Sequence, residues 1–283
     1  MQYSRLMKLL FTICLISMTL GCDQNSSESS FFFVQVTDPQ FGMFEPDKGF
    51  EKETELYLKA VNAINRLDPD FVVITGDLVN NMDNRSQVAE FKRITALLKR
   101  TIPIFYSPGN HDIGQSPAQV DIDSFISDYG HDRFSYKHKK SLFIGLNSCI
   151  IKSATDTLEQ LQYDWLKNEL SDAGKMKHII VLTHYPFFID SADEEENYSN
   201  IPVDIRTRYL KLFNDHNVDA VFSGHLHKNS ESRHINTEFV ITSSVGKPLG
   251  EAPSGIRIIK VYPDSVQSEY YGLDEIPEKI SMK

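Results

Sequence analysis

Phe71-Val72-Val73-Ile74-Thr75-Gly76-Asp77 is the most informative stretch of this sequence of 283 residues. Residues 71–75 form a continuous run without polar alternation, which is typical of a β-strand buried on both faces. Gly76 and Asp77 then end the run with a turn residue and a carboxylate. Residues 50–67, just before it, carry apolar side chains at helical spacing. A buried strand preceded by an amphipathic helix predicts a layered α/β fold.

The alternation of strands and helices continues along the chain. We predict further strands over residues 31–37, 104–106, 142–146, 179–183 and 220–223, and helices over 88–98, 117–129, 158–170 and 205–213. Three later stretches, 239–243, 256–262 and 266–271, are typical of strands joined by turns. The pattern predicts α/β layers with antiparallel strands completing one sheet. We expect a single domain over residues 31–283.

The N-terminus has the features of a secretory signal peptide over residues 1–21. Arg5 and Lys8 precede an apolar run that ends before Cys22. At the helical rise of about 1.5 Å per residue, this apolar run would span roughly 18 Å. That is too short to cross the hydrocarbon core of a membrane, which is ~30 Å thick, and is typical of a signal peptide. A buried first helix or an anchor helix is the alternative. Residues 22–30 are polar and Ser-rich, and predict a flexible tether.

Cys22 suggests what happens to the signal. Thr19-Leu20-Gly21-Cys22 resembles a bacterial lipoprotein processing site, although Thr19 holds the place where Leu is usual. The resemblance implies lipidation of Cys22 and a membrane-anchored lipoprotein of a bacterial cell envelope. A secreted or periplasmic protein is the alternative. After removal of the signal only Cys149 is a free thiol, so no disulfide can form within one mature chain.

Composition narrows the classes of function. The chain is 41% hydrophobic and 24% charged, which excludes a wholly disordered protein. Its formal net charge is −10, and loss of Arg5 and Lys8 with the signal leaves 27 basic against 39 acidic side chains, a balance of −12. An acidic surface repels phosphate backbones and disfavours nonspecific binding to nucleic acid.

Metal-ligating side chains follow five predicted buried strands. The candidate ligands are Asp38, Gln40, Asp77, Asn110, His184, His225 and His227. Ligands of α/β sheets bind outside the carboxyl ends of the strands, so we expect these side chains to meet at one edge. Oxygen and imidazole ligands suit Mn, Fe or Zn. Seven ligands exceed the needs of one tetrahedral ion and suit two ions ~3.5–4 Å apart with a bridging carboxylate.

Gly224-His225-Leu226-His227 is the strongest single element of this set. In an extended backbone, side chains at positions i and i+2 point to the same side. We therefore expect His225 and His227 to point the same way if this segment is extended.

The motifs together resemble the calcineurin-like metallophosphoesterases. The resemblance rests on Asp38-Pro39-Gln40, Gly76-Asp77, Gly109-Asn110-His111-Asp112, Thr183-His184-Tyr185-Pro186 and Gly224-His225-Leu226-His227. It implies a four-layer α-β-β-α sandwich. It also implies one metal on Asp38, Gln40, Asp77 and His227, and another on Asp77, Asn110, His184 and His225. Asp-Pro-Gln followed by Phe41-Gly42 is similar to the CPPED1-like branch of phosphatases.

Two positions depart from the pattern of the family. Gln40 replaces the usual His of the first motif, so we expect looser binding of the first metal and dependence on added Mn. Asn80 stands where some relatives have an Asp that orients the motif histidine, here His111. Asp112 is then a candidate cap for the following helix.

The resemblance implies metal-dependent hydrolysis of phosphoric esters by a hydroxide that bridges two metals. His111 would lie near the leaving oxygen and donate a hydrogen bond or a proton to it. A phosphomonoesterase acting on phosphoproteins or phosphorylated small molecules is the first choice. The alternatives are a phosphodiesterase for cyclic nucleotides, nucleotide diphosphates or lipid head groups, and a non-catalytic metal-binding scaffold. The acidic run Asp193-Glu194-Glu195-Glu196 predicts a solvated loop, with substrate gating as the alternative.

Overall fold

A computed structural model describes residues 29–282 apart from Asp47 and Thr155. The predicted signal peptide, Cys22 and the tether up to residue 28 lie outside the described residues. Within the described part of the chain, no helix has both the length and the apolar character needed to cross a membrane.

Strands and helices alternate through most of the described chain. The strands are β1 (Phe31–Val36), β2 (Val72–Thr75), β3 (Ile104–Ser107), β4 (Phe134–His138), β5 (Ser141–Gly145), β6 (His178–Leu182), β7 (Ala220–Ser223), β8 (Ser230–His234), β9 (Thr237–Ile241), β10 (Gly255–Val261) and β11 (Val266–Gly272). The helices are α1 (Glu51–Leu67), α2 (Arg85–Thr95), α3 (Asn110–Ile113), α4 (Gln119–Tyr129), α5 (Ser148–Ser153), α6 (Asp156–Ser171) and α7 (Val203–Asp215). Every predicted strand and helix is present, with bounds shifted by a few residues.

Two mixed sheets contain these strands. The first has the order β11-β10-β1-β2-β3, and the second has the order β4-β5-β6-β7-β9-β8. In the first sheet β1, β2 and β3 are parallel, while β10 and β11 are antiparallel to their neighbours. In the second sheet β5, β6, β7 and β9 are parallel, and β4 and β8 are antiparallel at the edges. Antiparallel β10 and β11 complete the first sheet, as predicted, and the second sheet also has an antiparallel strand at each edge, which was not predicted.

The inner faces of the two sheets pack on each other through aromatic rings. Phe33 stacks on Phe71 with ring centroids 4.7 Å apart, and Phe71 meets Phe143 of the second sheet edge-on at 4.8 Å. Phe33 also contacts Phe222 of β7 at 6.4 Å. These residues belong to one apolar cluster that lies between the sheets.

The outer faces of the sheets are covered by helices. Along β1, Phe33 faces the other sheet, whereas Val34 and Val36 belong to the cluster that includes Tyr57 of α1 and Phe91 of α2. This alternation follows the two-residue period of a strand. It also explains the uninterrupted apolar run at residues 71–75, because both faces of β2 are buried. The result is the predicted four-layer α-β-β-α sandwich.

The parallel strands end at a common edge of the sandwich. Val36 pairs with Ile74 between β1 and β2, so the residues that follow leave the sheet side by side. Backbone hydrogen bonds continue beyond the strands, from Asp38 N to Gly76 O at 3.2 Å and from Gln40 N to Asp77 O at 2.8 Å. The loops that carry the predicted ligands are therefore held to each other from their first residue.

Candidate metal centre

All seven predicted ligand residues lie at this edge and are buried. The most exposed of them, His225, keeps only 8% of its accessible surface. Burial of so many polar side chains is costly unless each has a partner. The contacts between these side chains therefore indicate what the site can bind.

One group of side chains surrounds His184. The ligand atoms of Asp77, His184 and His225 all lie within 4.8 Å of one another. His184 Nε2 is 3.3 Å from Asp77 Oδ2 and 3.2 Å from His225 Nδ1. Asn110 Oδ1 lies 3.1 Å from the same His184 nitrogen. Carboxylate, carboxamide and imidazole atoms therefore converge on one small volume.

A second group forms around Asp38 and shares Asp77 with the first. The ligand atoms of Asp38, Asp77 and His227 also lie within 4.8 Å of one another. His227 Nε2 is 3.4 Å from Asp38 Oδ1. Because Asp77 belongs to both groups, the two clusters are adjacent and have one carboxylate in common.

Backbone carbonyls determine which ring nitrogen of two histidines is available. The carbonyl of Thr75 accepts from His184 Nδ1 at 3.1 Å, and the carbonyl of Lys247 accepts from His227 Nδ1 at 2.6 Å. A carbonyl can only accept, so each Nδ1 carries a proton and each neutral ring presents Nε2 as a lone pair. This is the usual arrangement of a metal-ligating histidine.

The backbone at the site is not extended. Asp38, Gln40, Asp77, His225 and His227 all have φ between 40° and 70°. The condition under which His225 and His227 would point the same way is therefore not met. His225 joins the group around His184, whereas His227 joins the group around Asp38. The left-handed turns distribute the two side chains between the clusters.

Two glycines permit the close approach of these loops. Gly76 has φ +80°, and a Cβ atom there would lie 2.5 Å from His184 Nδ1. A Cβ atom on Gly109 would lie 2.2 Å from Asp77 Oδ1. A larger residue at either position would displace the ligand side chains.

Charges in the metal-free site are strongly coupled. Burial lowers the pKa of His184, but the Asp77 and Asp38 carboxylates outweigh it and raise the pKa to about 9. Burial and the neighbouring His184 charge lower the pKa of His225 to about 3. Burial raises the pKa of Asp77, yet the nearby histidines outweigh it and hold that pKa well below its usual value. The raised pKa of His184 shows that the surrounding carboxylates stabilise a positive charge at this position.

The residues present fit divalent cations. Gln40 Oε1 is buried and has no hydrogen-bond partner. Leaving a buried acceptor unsatisfied costs roughly 1–3 kcal/mol, so this oxygen points to a missing partner. The donor set of carboxylates, carboxamides and imidazoles suits Mn, Fe or Zn.

A backbone carbonyl orients the side chain of His111. Its Nδ1 donates to the carbonyl of Asn80 at 2.8 Å, and its backbone N–H donates to Asp77 Oδ1 at 2.8 Å. The Asn80 carbonyl thus holds the imidazole although Asn80 is not an Asp.

The side chain of Asp112 accepts from the backbone N–H groups of Leu78 at 2.9 Å and Gly109 at 2.8 Å. Asp112 thus lies within α3 and caps the first turn of that helix, rather than capping a following helix as expected, and it also ties α3 to the loop after β2.

Comparison with known proteins identifies the family. Residues 33–229 match the family described as calcineurin-like phosphoesterase. The chain belongs to the calcineurin-like phosphoesterase family. It is a hydrolase that acts on phosphoric ester bonds.

The relatives support both the branch and the fold. Serine/threonine-protein phosphatase CPPED1 of Homo sapiens is 35% identical over 269 residues, covering 88% of this chain and 86% of that protein. A purple acid phosphatase, PPD1 from yellow lupin (Lupinus luteus), has a TM-score of 0.62 at 17% identity, covering 87% of this chain and 52% of that chain. A dimetal phosphatase from Danio rerio has a TM-score of 0.57 at 14% identity, covering 86% and 99%. At such identities the two structures show a shared fold.

Ser148 and Tyr185 support the site in this phosphoesterase, and sequence reasoning assigned neither a role. Ser148 Oγ accepts from the backbone N–H groups of His184 at 3.0 Å and Tyr185 at 2.8 Å. The Tyr185 ring lies 4.1 Å from the His225 ring. Tyr185 stands inside a family motif, which was its only signal. No sequence signal pointed to Ser148, because its role depends on the position at which α5 begins.

Hydrogen bonds hold the acidic loop between β6 and α7, and only part of this loop is solvated. Glu194 accepts backbone N–H groups at both carboxylate oxygens, including those of Ile189 and Asp190 at 2.9 Å. Arg206 is completely buried and donates to the Glu194 carbonyl at 2.8 Å. The loop brings the half-exposed Tyr198 ring to 5.2 Å from His225. The expectation of a solvated loop was wrong for Glu194, and substrate gating by this loop stays a prediction.

Proposed function

We propose that this chain is a metal-dependent phosphomonoesterase with a dinuclear centre. The observation that carries the proposal is the pair of buried ligand groups that share Asp77. Two adjacent cation sites with a common carboxylate suit ions ~3.5–4 Å apart, a spacing that clamps the attacking and leaving oxygens of a phosphoryl displacement.

Each ion has four proposed protein ligands. The first ion would be held by Asp38, Gln40, Asp77 and His227. The second ion would be held by Asp77, Asn110, His184 and His225. Asp77 would bridge, and its depressed pKa keeps it ionised for that role. Mn, Fe and Zn all suit this donor set.

The two ions, when bound, lower the pKa of a water molecule and offset the negative charge of the ester. The protein's own contribution to proton transfer is His111. Because the Asn80 carbonyl accepts from Nδ1 at 2.8 Å, the ring presents Nε2 away from that loop. A protonated His111 can then donate from Nε2 to the leaving oxygen while its orientation is maintained.

The choice of a monoester follows the relatives. The proteins about 35% identical to this chain are named serine/threonine-protein phosphatases, so we propose a phosphoprotein or a phosphorylated small molecule as substrate. The acidic net charge of −10 argues against nucleic acid as a partner.

Hydrolysis of two chromogenic esters tests the proposal. The full chain would be assayed with nitrophenyl phosphate and bis-nitrophenyl phosphate, with added Mn and with EDTA. We expect a preference for the monoester that is abolished by EDTA and by Asp77→Asn. Asp172→Asn, at an exposed position, is the control for loss of a carboxylate. A preference for the diester would replace the proposal with a phosphodiesterase. Bound metal without turnover of either ester would favour the scaffold.

We propose further that the chain is exported and anchored through a lipid on Cys22. The support is the basic start, the short apolar run and the processing-site resemblance in residues 1–22. Labelling of cells with a tagged fatty acid tests the idea. We expect label on the full chain and on Cys14→Ala, but not on Cys22→Ala. Equal labelling of Cys22→Ala, or no label on any of the three, would contradict the anchor.

A further inference from the structure

Asn80 contacts two functional groups of the site at once. Its side-chain Oδ1 accepts from Gln40 Nε2 at 3.3 Å, and its backbone carbonyl accepts from His111 Nδ1 at 2.8 Å. Its own backbone N–H donates to Phe41 O at 3.0 Å, which fixes the loop itself. The two positions at which this sequence departs from the family motifs, Gln40 and Asn80, are therefore in direct contact.

The contact determines which way the Gln40 carboxamide faces. A carboxamide has an acceptor oxygen on one side and a donor nitrogen on the other. In the structure Asn80 presents Oδ1 to Gln40, and because an oxygen can only accept, the Gln40 nitrogen faces Asn80. The Gln40 oxygen then faces the other way, where it is buried and has no hydrogen-bond partner. In the opposite orientation two oxygens would face each other, and the nitrogen would face the cation site.

We propose that Asn80 is a positioning residue that orients the Gln40 oxygen toward the first ion. The inference rests on the proposed function only in taking Gln40 as a ligand of that ion. A neutral oxygen is a weak ligand, so its orientation matters more than that of an imidazole. Residues that orient metal ligands typically contribute about 10- to 100-fold to affinity.

Mn²⁺ binding by the metal-free full chain provides the test, with free Mn²⁺ followed by electron paramagnetic resonance. We expect Asn80→Ala to weaken one class of sites about 10- to 100-fold. This variant keeps the backbone carbonyl that holds His111. Asn80→Asp also offers an oxygen acceptor to Gln40 Nε2, so we expect it to bind Mn²⁺ at least as tightly as the unaltered chain. Asn81→Ala, at the exposed neighbouring position, is the matched control and should bind normally.

A double-mutant cycle separates positioning from a general effect on the fold. If Asn80 acts through Gln40, then Asn80→Ala should cause no further loss in a Gln40→Ala background. Normal Mn²⁺ affinity of Asn80→Ala would overturn the proposal, as would fully additive losses in the double variant. Equal weakening by Asn80→Ala and Asn80→Asp would also overturn it. Thermal unfolding of each metal-free variant identifies a folding defect. Failure of the phosphomonoesterase proposal is separate, since it leaves Mn²⁺ binding intact.

Discussion

Five of the seven candidate ligand residues hold a left-handed backbone conformation. Each such non-glycine residue costs of order 1–3 kcal/mol, and such residues persist only where surrounding contacts stabilise them. Here the strand ends supply those contacts, for example from Gln40 N to Asp77 O at 2.8 Å. The ligand residues thus reduce stability in the metal-free protein, and a bound cation would offset part of this cost.

Metal binding should release a proton from His184. In the metal-free site the Asp77 and Asp38 carboxylates raise the pKa of His184 to about 9, so the ring is protonated at neutral pH. A metal needs the unprotonated Nε2. We therefore expect Mn²⁺ affinity to fall about tenfold for each pH unit below 9 and to level off above it. Calorimetric titration at pH 7.5 in two buffers of different protonation enthalpy should show net proton release. His227 also contributes to this release, because burial lowers its pKa but the Asp38 carboxylate outweighs burial and raises it. Equal heats in the two buffers would contradict the assignment.

His111 should matter most for substrates with a poor leaving group. A general acid contributes typically 10²–10⁴-fold, and contributes least where the leaving oxygen is already stable as an anion. We expect His111→Gln to lower turnover of an alkyl phosphate at least about 100-fold and of nitrophenyl phosphate much less. Metal content, measured by mass spectrometry, should stay normal. Equal losses on both substrates would refute the role of proton donor.

The chemistry of the site was more predictable than its geometry. Carboxylate, carboxamide and imidazole after buried strands indicated a metal centre from the sequence, because parallel strands end at a common edge. The distribution of His225 and His227 between two clusters was not predictable, since it depends on positive φ at non-glycine residues. The Gln40–Asn80 contact joins residues 40 positions apart and leaves no local pattern.

At the scale of elements, the loops after the strands must approach one another very closely. Gly224 follows β7 and donates its backbone N–H to His184 O at 3.0 Å. A Cβ atom on Gly224 would lie 1.9 Å from Thr37 Oγ1 and 2.6 Å from Asp38 Oδ2. The loops after β1 and β7 can therefore form the site only if this position has no side chain.

Gly224→Ala should consequently damage the metal centre. We expect the added methyl group to displace Asp38 and to lower Mn²⁺ affinity at least about tenfold, with a loss of stability of about 1–3 kcal/mol from overpacking. Gly174→Ala is the matched control, because no heavy atom lies within 4 Å of a Cβ there. Isothermal titration with Mn²⁺ measures the difference. Similar affinities of the two variants would show that the loops can separate without loss of the site.

Elements with a clear apolar period were predicted, and those without one were missed. Residues 220–223 were predicted as a strand with the bounds that β7 has. β4 and β8 are edge strands whose residues are mostly exposed or half-buried, so neither has a buried apolar run. Their pairing depends on the neighbouring strand, which a local pattern cannot indicate.

At the scale of the whole molecule, the two sheets share one aromatic layer. The Phe71 ring is fully buried and contacts Phe33 of its own sheet at 4.7 Å and Phe143 of the other sheet at 4.8 Å. The pattern at residues 71–75 predicted a strand buried on both faces. It could not predict that one of those faces is covered by a second sheet rather than by helices. That arrangement entered only through the resemblance to the family.

Phe71→Ala tests whether residues 31–283 unfold as one domain, as we propose. Removing a buried Phe typically costs about 3–5 kcal/mol. Trp165 is the single tryptophan and belongs to α6, where it packs against the apolar cluster beneath the helices. If the sheets form one unit, Phe71→Ala should shift the urea transition of Trp165 fluorescence and that of far-ultraviolet circular dichroism by the same amount. Leu161→Ala, exposed on α6, should shift neither. A Trp165 transition that stays in place while the dichroism transition moves would show two independently unfolding units, because the damage would then be confined to the first sheet.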